Sequence, residues 1–347
     1  MTYLYHDTSQ VLLAEYLSPF GIAGDQGNEP VPDGGYTVEH NQIYRLRLVN
    51  SGSFASIRFS IDNHPLTLIE ADGTLLTPRQ VAGVNIAVAQ RYSPEWNFWI
   101  RATLQSNMFR YDQPGQNLDI RGVLRYSDGA KTGIPGDTTS TDPGPGVSGV
   151  GDVVGTTALT PLIPSPGPNA TRAVSVSFSF QSTADGQFLG FMNGTSWSPL
   201  SGTSTLLALH KDPTGYAPNG VSIGAVDQLL VTEDSIQVID VRVDNLDDGE
   251  HPFHLHGHRP WIMGVGAGRY IGQTLNATSP LRRDTIVIPA YSWVVLRFVT
   301  DNPGVWAFHC HIAWHMAAGL LMQFSSQPSV LAKLDVPQDI VSQCSGR

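Results

Sequence analysis

Between Trp306 and Phe324 the chain places four metal-binding side chains close together: His309, Cys310, His311 and His315. Upstream, His251-Pro252-Phe253-His254-Leu255-His256-Gly257-His258 adds four histidines. Neighbouring side chains of an extended strand point to opposite faces. His309 and His311 therefore share one face while Cys310 looks the other way, and His254 and His256 share a face of their own strand. One strand can then serve two metal centres, thiolate on one and imidazoles on the other, with only a few covalent bonds between them.

A soft thiolate with two imidazoles and a weak axial neighbour is the ligand set of a blue-copper electron-transfer site. An all-histidine cluster beside it suits copper that handles oxygen. Taken alone, His251-x-x-His254-x-His256 could open a zinc hydrolase site, and a lone His-x-His pair is often zinc-binding or structural. The two motifs in this order, with Cys310 flanked by histidines and His315 five residues on, favour copper.

At these residues the sequence resembles the multicopper oxidases, and among them the fungal laccases and iron oxidases. The resemblance implies that His251, Cys310 and His315 hold type 1 copper, that His254 is a type 2 ligand, and that His256, His309 and His311 are type 3 ligands. Leu320, ten residues after Cys310, matches the axial position. Leucine cannot coordinate, so a three-coordinate, oxidising type 1 site is expected. Met322 lies two residues further and reads as core, and His258 lies beside the ligands without being one. Arg282, Arg283 and Asp284 match the family as a structural ion-pair cluster.

The family's reaction takes single electrons from a phenol or Fe²⁺ and reduces oxygen to water. Glu29 and Asp247 resemble the substrate carboxylates of the iron oxidases, and Glu29 also falls near the phenol-binding acid of laccases; the alternative is that both are solvated loop acids. Ala313 departs from the acid that iron oxidases carry there and agrees with ascomycete-type laccases. That tilts the expectation towards phenolic or pigment-type donors, with Fe²⁺ as the alternative.

The family completes its oxygen-reducing cluster with four further histidines, from two His-x-His motifs of an N-terminal domain. His6, His40, His64 and His210 form no such pair. The expectation is a complete type 1 set with half a trinuclear set, in a chain cut short or completed by a companion chain. The isolated chain would then hold type 1 copper without reducing oxygen efficiently, or be a non-catalytic copper-binding remnant.

Composition agrees with a β-rich protein. The 347 residues suffice for about two domains. With 41% hydrophobic and 14% charged residues they can fill ordinary cores, and 35 glycines and 24 prolines favour short strands and turns. A formal charge of −10 argues against nucleic-acid or anionic-membrane partners. No apolar run reaches membrane-spanning length.

The elements that must position the motifs show period-2 alternation: Tyr44, Leu46 and Leu48; Ile57, Phe59 and Ile61; Ile239, Val241 and Val243, leading into His251; and Val294, Leu296 and Phe298. Asn302-Pro303-Gly304 is a turn immediately before the Cys310 strand. The predicted fold is all-β. The resemblance implies two cupredoxin-like Greek-key domains at 1–127, without copper ligands, and 172–347, with them. Between them, 128–171 reads as a Gly/Pro/Ser/Thr-rich linker.

Cys344 matches half of a bridge to an N-terminal domain in related enzymes. Sequons at Asn169, Asn193 and Asn276, with the family, imply secretion and glycosylation, whereas Met1–His6 has neither the basic start nor the apolar core of a signal peptide.

Overall fold

The computed structural model describes residues 2–5, 11–14, 36–38, 45–62, 65–92, 99–109, 118–126, 158–215, 221–223 and 228–343. It is a β protein of two compact units, Met1–Ile163 and Pro164–Arg347. The division falls inside the Gly/Pro/Ser/Thr-rich stretch, of which 128–157 lies outside the described residues.

In the first unit a five-stranded sheet runs Tyr36–Val38, Asp119–Tyr126, Trp99–Leu104, Ile57–Ile61, Gly83–Ile86. A four-stranded sheet runs Leu48–Val49, Arg91–Tyr92, Leu66–Ala71, Thr74–Val81, and Thr2–Tyr5 pairs with Val11–Ala14. Ile57, Phe59 and Ile61 are buried as their alternation predicts. Of the strand expected around Leu46, Leu48–Val49 pairs with Arg91–Tyr92 among the described residues, and Tyr44 lies outside them.

The second unit is a two-sheet sandwich. One sheet runs Phe188–Met192, Arg172–Ser182, Val238–Asn245, Ser292–Val299, Trp261–Ala267. The other runs Val221–Ile223, Leu229–Glu233, Leu321–Ser326, Gly304–Cys310, His251–Leu255, Thr285–Ile288. Aromatic side chains join the two layers: Phe178 meets Phe253 at 4.8 Å between ring centroids, and Phe298 meets Phe324 at 5.1 Å. Such rings bury large apolar areas and dominate a core of this kind.

Ile239, Val241 and Val243 are buried, as predicted. Asp240, expected on the polar face, is buried as well, because cross-strand Arg297 donates to it twice, at 2.6 and 2.8 Å. A buried carboxylate is tolerated when a fork of donors satisfies it.

Candidate metal centre

The His251–Leu255 and Gly304–Cys310 strands are antiparallel neighbours, with Phe253 opposite Cys310 and His254 opposite His309. This pairing brings the two sequence motifs together. His315 joins them from the short helix Ala313–Ala317, which begins three residues after Cys310.

On one side, His251, Cys310 and His315 converge, all buried. The Cys310 Sγ lies 3.6 Å from His251 Nδ1 and 3.5 Å from His315 Nδ1, and the two Nδ1 atoms are 3.0 Å apart. A metal with bonds of ~2.0–2.3 Å to nitrogen and sulfur sets its ligand atoms roughly 3–4 Å apart, so these three atoms fit one ion. Burial pushes the Cys310 thiol up and drives His315 down to about 3, with His251 beside it adding to the effect. A neutral imidazole is the form that binds metal.

The outer nitrogen of His251 faces Asp247. Its Nε2 stands 3.4 Å from Asp247 Oδ2 without forming a hydrogen bond, and the Asp247 side chain is 22% exposed. Buried Asn245 shapes the intervening turn: its Oδ1 accepts from Asp247 N at 2.8 Å, and its Nδ2 donates to Gly249 O and Pro289 O, both at 2.8 Å. Glu29, the other candidate carboxylate, lies outside the described residues, as do His6, His40, His64 and Cys344.

On the other side, the rings of His254, His256, His309 and His311 cluster, with centroids 4.9 to 5.9 Å apart for the contacting pairs. His256 Nε2 and His309 Nε2 are 3.0 Å apart. Backbone oxygens fix two tautomers. His309 Nδ1 donates to Cys310 O at 2.9 Å, and His254 Nδ1 donates to Asp284 O at 3.0 Å with Thr285 Oγ1 equally near. A carbonyl can only accept, so each Nδ1 carries the proton and each Nε2 lone pair is left for a ligand. Burial drives His254 and His309 each down to about 4, and lowers His256 and His311 also.

His309 and His311 thus lie on the opposite side from Cys310, and His254 and His256 lie together, as alternation predicts, while His251 and His315 join Cys310. His258 touches no ligand atom; its Nδ1 donates to His256 O at 3.0 Å. Leu320 and Met322 are both fully buried, and Leu320 is bonded through its backbone to His315 and Cys310. His210 lies apart from both groups, against Leu334 O. Asp284, read from sequence as part of a structural ion-pair cluster, also holds His254, while Arg282 packs over the Trp261 ring at 4.2 Å.

Sequence reasoning missed the aromatic surround of the sulfur group. Phe178 meets His251 edge-on at 5.1 Å, and Phe180 lies 4.7 Å from the His315 ring. Trp314 stands edge-on to His315 at 3.9 Å, and Phe188 stacks on Phe180 at 5.2 Å. Trp314 is 48% exposed and Phe188 54%.

Two family models, each described as Multicopper oxidase, match residues 8–129 and 198–330. The chain belongs to the multicopper oxidase family. It is 31% identical to the iron transport multicopper oxidase fio1 of Schizosaccharomyces pombe, over 95% of this chain and 56% of that protein. It is likewise 31% identical to Laccase-1 of Botryotinia fuckeliana, over 83% of this chain and 50% of that protein. The chain therefore spans about half the length of these relatives.

The fold is shared with the crystal structure of Fet3p, a multicopper oxidase that functions in iron import, with TM-score 0.74 and 24% identity over 89% of this chain and 61% of that one. The laccase from Botrytis aclada gives 0.70 and 25%, over 92% and 60%.

Proposed function

We propose that this chain supplies the electron-accepting centre of a laccase-like copper oxidase that takes single electrons from phenolic donors. In this reading His251, Cys310 and His315 hold type 1 copper, and His254, His256, His309 and His311 provide half of an oxygen-reducing cluster. The observation that carries it is the shared strand: Cys310 faces one buried group, while its neighbours His309 and His311 face the other. Copper held by such residues supplies one-electron transfer.

The protein's own contribution is positional. The sandwich core keeps Cys310 fully buried, which excludes water from the sulfur. Cys310 links the two groups covalently, and backbone oxygens set the imidazole tautomers. Phe180, Phe188 and Trp314 present aromatic surface beside His315 on which a flat ring can stack. Asp247 Oδ2 sits against His251, where a carboxylate can accept the proton a phenol loses as it is oxidised. Oxygen as final acceptor completes the proposal. Among the described residues no helix is long and apolar enough to cross a membrane.

Asp247 also supports a second reading, oxidation of Fe²⁺, because a hard carboxylate beside His251 is a suitable landing point for ferrous iron. The resemblance to fio1 points the same way. Stopped-flow bleaching of the oxidised, copper-loaded chain separates the two without needing oxygen reduction. The phenolic reading expects Trp314→Ala with Phe188→Ala to slow bleaching by phenols more than by Fe²⁺; slowing of Fe²⁺ alone, by Asp247→Ala, would favour iron.

A further inference from the structure

We propose that Gly190, on the Phe188–Met192 strand and outside every motif, is a positioning residue that seats Leu320 against the sulfur group. The inference rests on the copper reading of His251, Cys310 and His315. A Cβ at Gly190 would lie 3.0 Å from Leu320 Cβ, 3.2 Å from Leu320 N and 3.3 Å from Phe180 Cζ. Carbon atoms packed so closely repel, so one of these neighbours would have to yield. The absence of a side chain is what lets the strand and the Leu320 loop approach.

The contact is clamped on both sides. Gly190 N donates to Ala318 O at 2.9 Å, and Trp197 N donates to Gly319 O at 3.0 Å. Ser196 Oγ donates to Ala318 O at 3.2 Å. Gly319 has φ +104°, and a Cβ there would fall 2.0 Å from Ser196 Oγ. The loop therefore has little slack to absorb a push from Gly190.

Leu320 passes displacement on to two ligand residues. Its N donates to His315 O at 3.0 Å, and its carbonyl accepts from Cys310 N at 3.1 Å. Phe180, the other neighbour, packs on His315. A dry apolar surround favours the less charged, reduced state of a bound metal; loosening it admits polarity and favours the oxidised state.

The test is a spectroscopic redox titration of copper(II)-loaded Gly190→Ala against wild type. The expected result is retained visible absorption with a shifted band, and an equilibrium constant for reduction at least about threefold lower, some 30 mV at ~59 mV per decade. Gly186→Ala is the control. It strains the turn of the same hairpin at φ +82° with nothing near its Cβ, so it should lower the melting temperature and leave band and potential unchanged.

Ser196→Ala loosens the same clamp and serves if Gly190→Ala does not fold; it should lower the constant by about twofold or more. A folded Gly190→Ala with wild-type band and potential overturns the inference. So does an unshifted Ser196→Ala when Gly190→Ala is not recovered, and so does an equal shift in Gly186→Ala. A wild-type chain without visible absorption overturns the copper reading and this inference together, whereas a coloured wild type with unshifted variants overturns this inference alone.

Discussion

His309 and Cys310 are consecutive in the chain yet serve different groups. The sulfur of Cys310 stands 3.5 Å from His315 Nδ1, while His309 Nε2 stands 3.0 Å from His256 Nε2 on the opposite face of the strand. A peptide bond and two side chains are all that separates the two sites.

Copper stoichiometry follows from how the ligand atoms converge. Among the described residues, three different ligand atoms come together at His251, Cys310 and His315, while the histidine cluster brings only His256 and His309 into close register. The isolated chain should hold about one tight copper, with the histidine cluster too incomplete to retain its own. His309→Ala should leave that count unchanged and oxygen uptake slow. Two or three retained coppers with rapid oxygen uptake would contradict this.

Copper uptake should displace one proton from the sulfur group. Burial holds the Cys310 thiol protonated at pH 7 to 8, whereas His315, at about 3, is already neutral. Apparent copper affinity should therefore rise about tenfold per pH unit over this range, because a single proton competes with the metal. Competition titrations with a chelator at several pH values measure the slope; a slope near two would mean that an imidazole proton is displaced as well.

Asp247 should matter more to electron transfer than to folding. Its side chain is partly exposed and makes no hydrogen bond to His251, so Asp247→Ala should change the melting temperature little. Loss of a proton acceptor beside the donor should slow bleaching by phenols roughly ten- to a hundredfold, with the loss shrinking for donors that carry no ionisable proton. An equal loss for both kinds of donor would assign Asp247 a purely structural part.

Gly257 closes the turn after His256 with φ +67°, and a Cβ there would sit 2.3 Å from the Trp306 ring. Trp306 is itself anchored, its Nε1 donating to Asn302 O at 2.9 Å while Asn302 Nδ2 donates to Gly257 O at 3.0 Å. Gly257→Ala combines a strained backbone with an overlap the ring cannot escape, and should cost on the order of 3 kcal/mol. Chemical denaturation measures it; a cost below about 1 kcal/mol would show that the turn relaxes.

The faces of His309, Cys310 and His311 were legible because strand alternation alone assigns them, and the strand pairing did nothing to disturb it. Ile57, Phe59 and Ile61 were legible for the same reason. Burial of Asp240 was not, since its partner Arg297 lies on another strand and no local pattern announces a cross-strand fork. Phe180 and Gly190 were equally hidden: they reach the sulfur group from a hairpin more than a hundred residues upstream of Cys310. Asp284 reads like any acid beside two arginines until the strand pairing sets it against His254.

The central claim is that the Cys310 sulfur and the Nδ1 atoms of His251 and His315 hold one copper ion. Visible absorption of the copper(II)-loaded chain, compared with Cys310→Ser, tests it most directly. An intense band in the wild type that disappears in the serine variant, with the fold retained by circular dichroism, is the predicted result. A wild type without the band, or a serine variant that keeps it, would contradict the account.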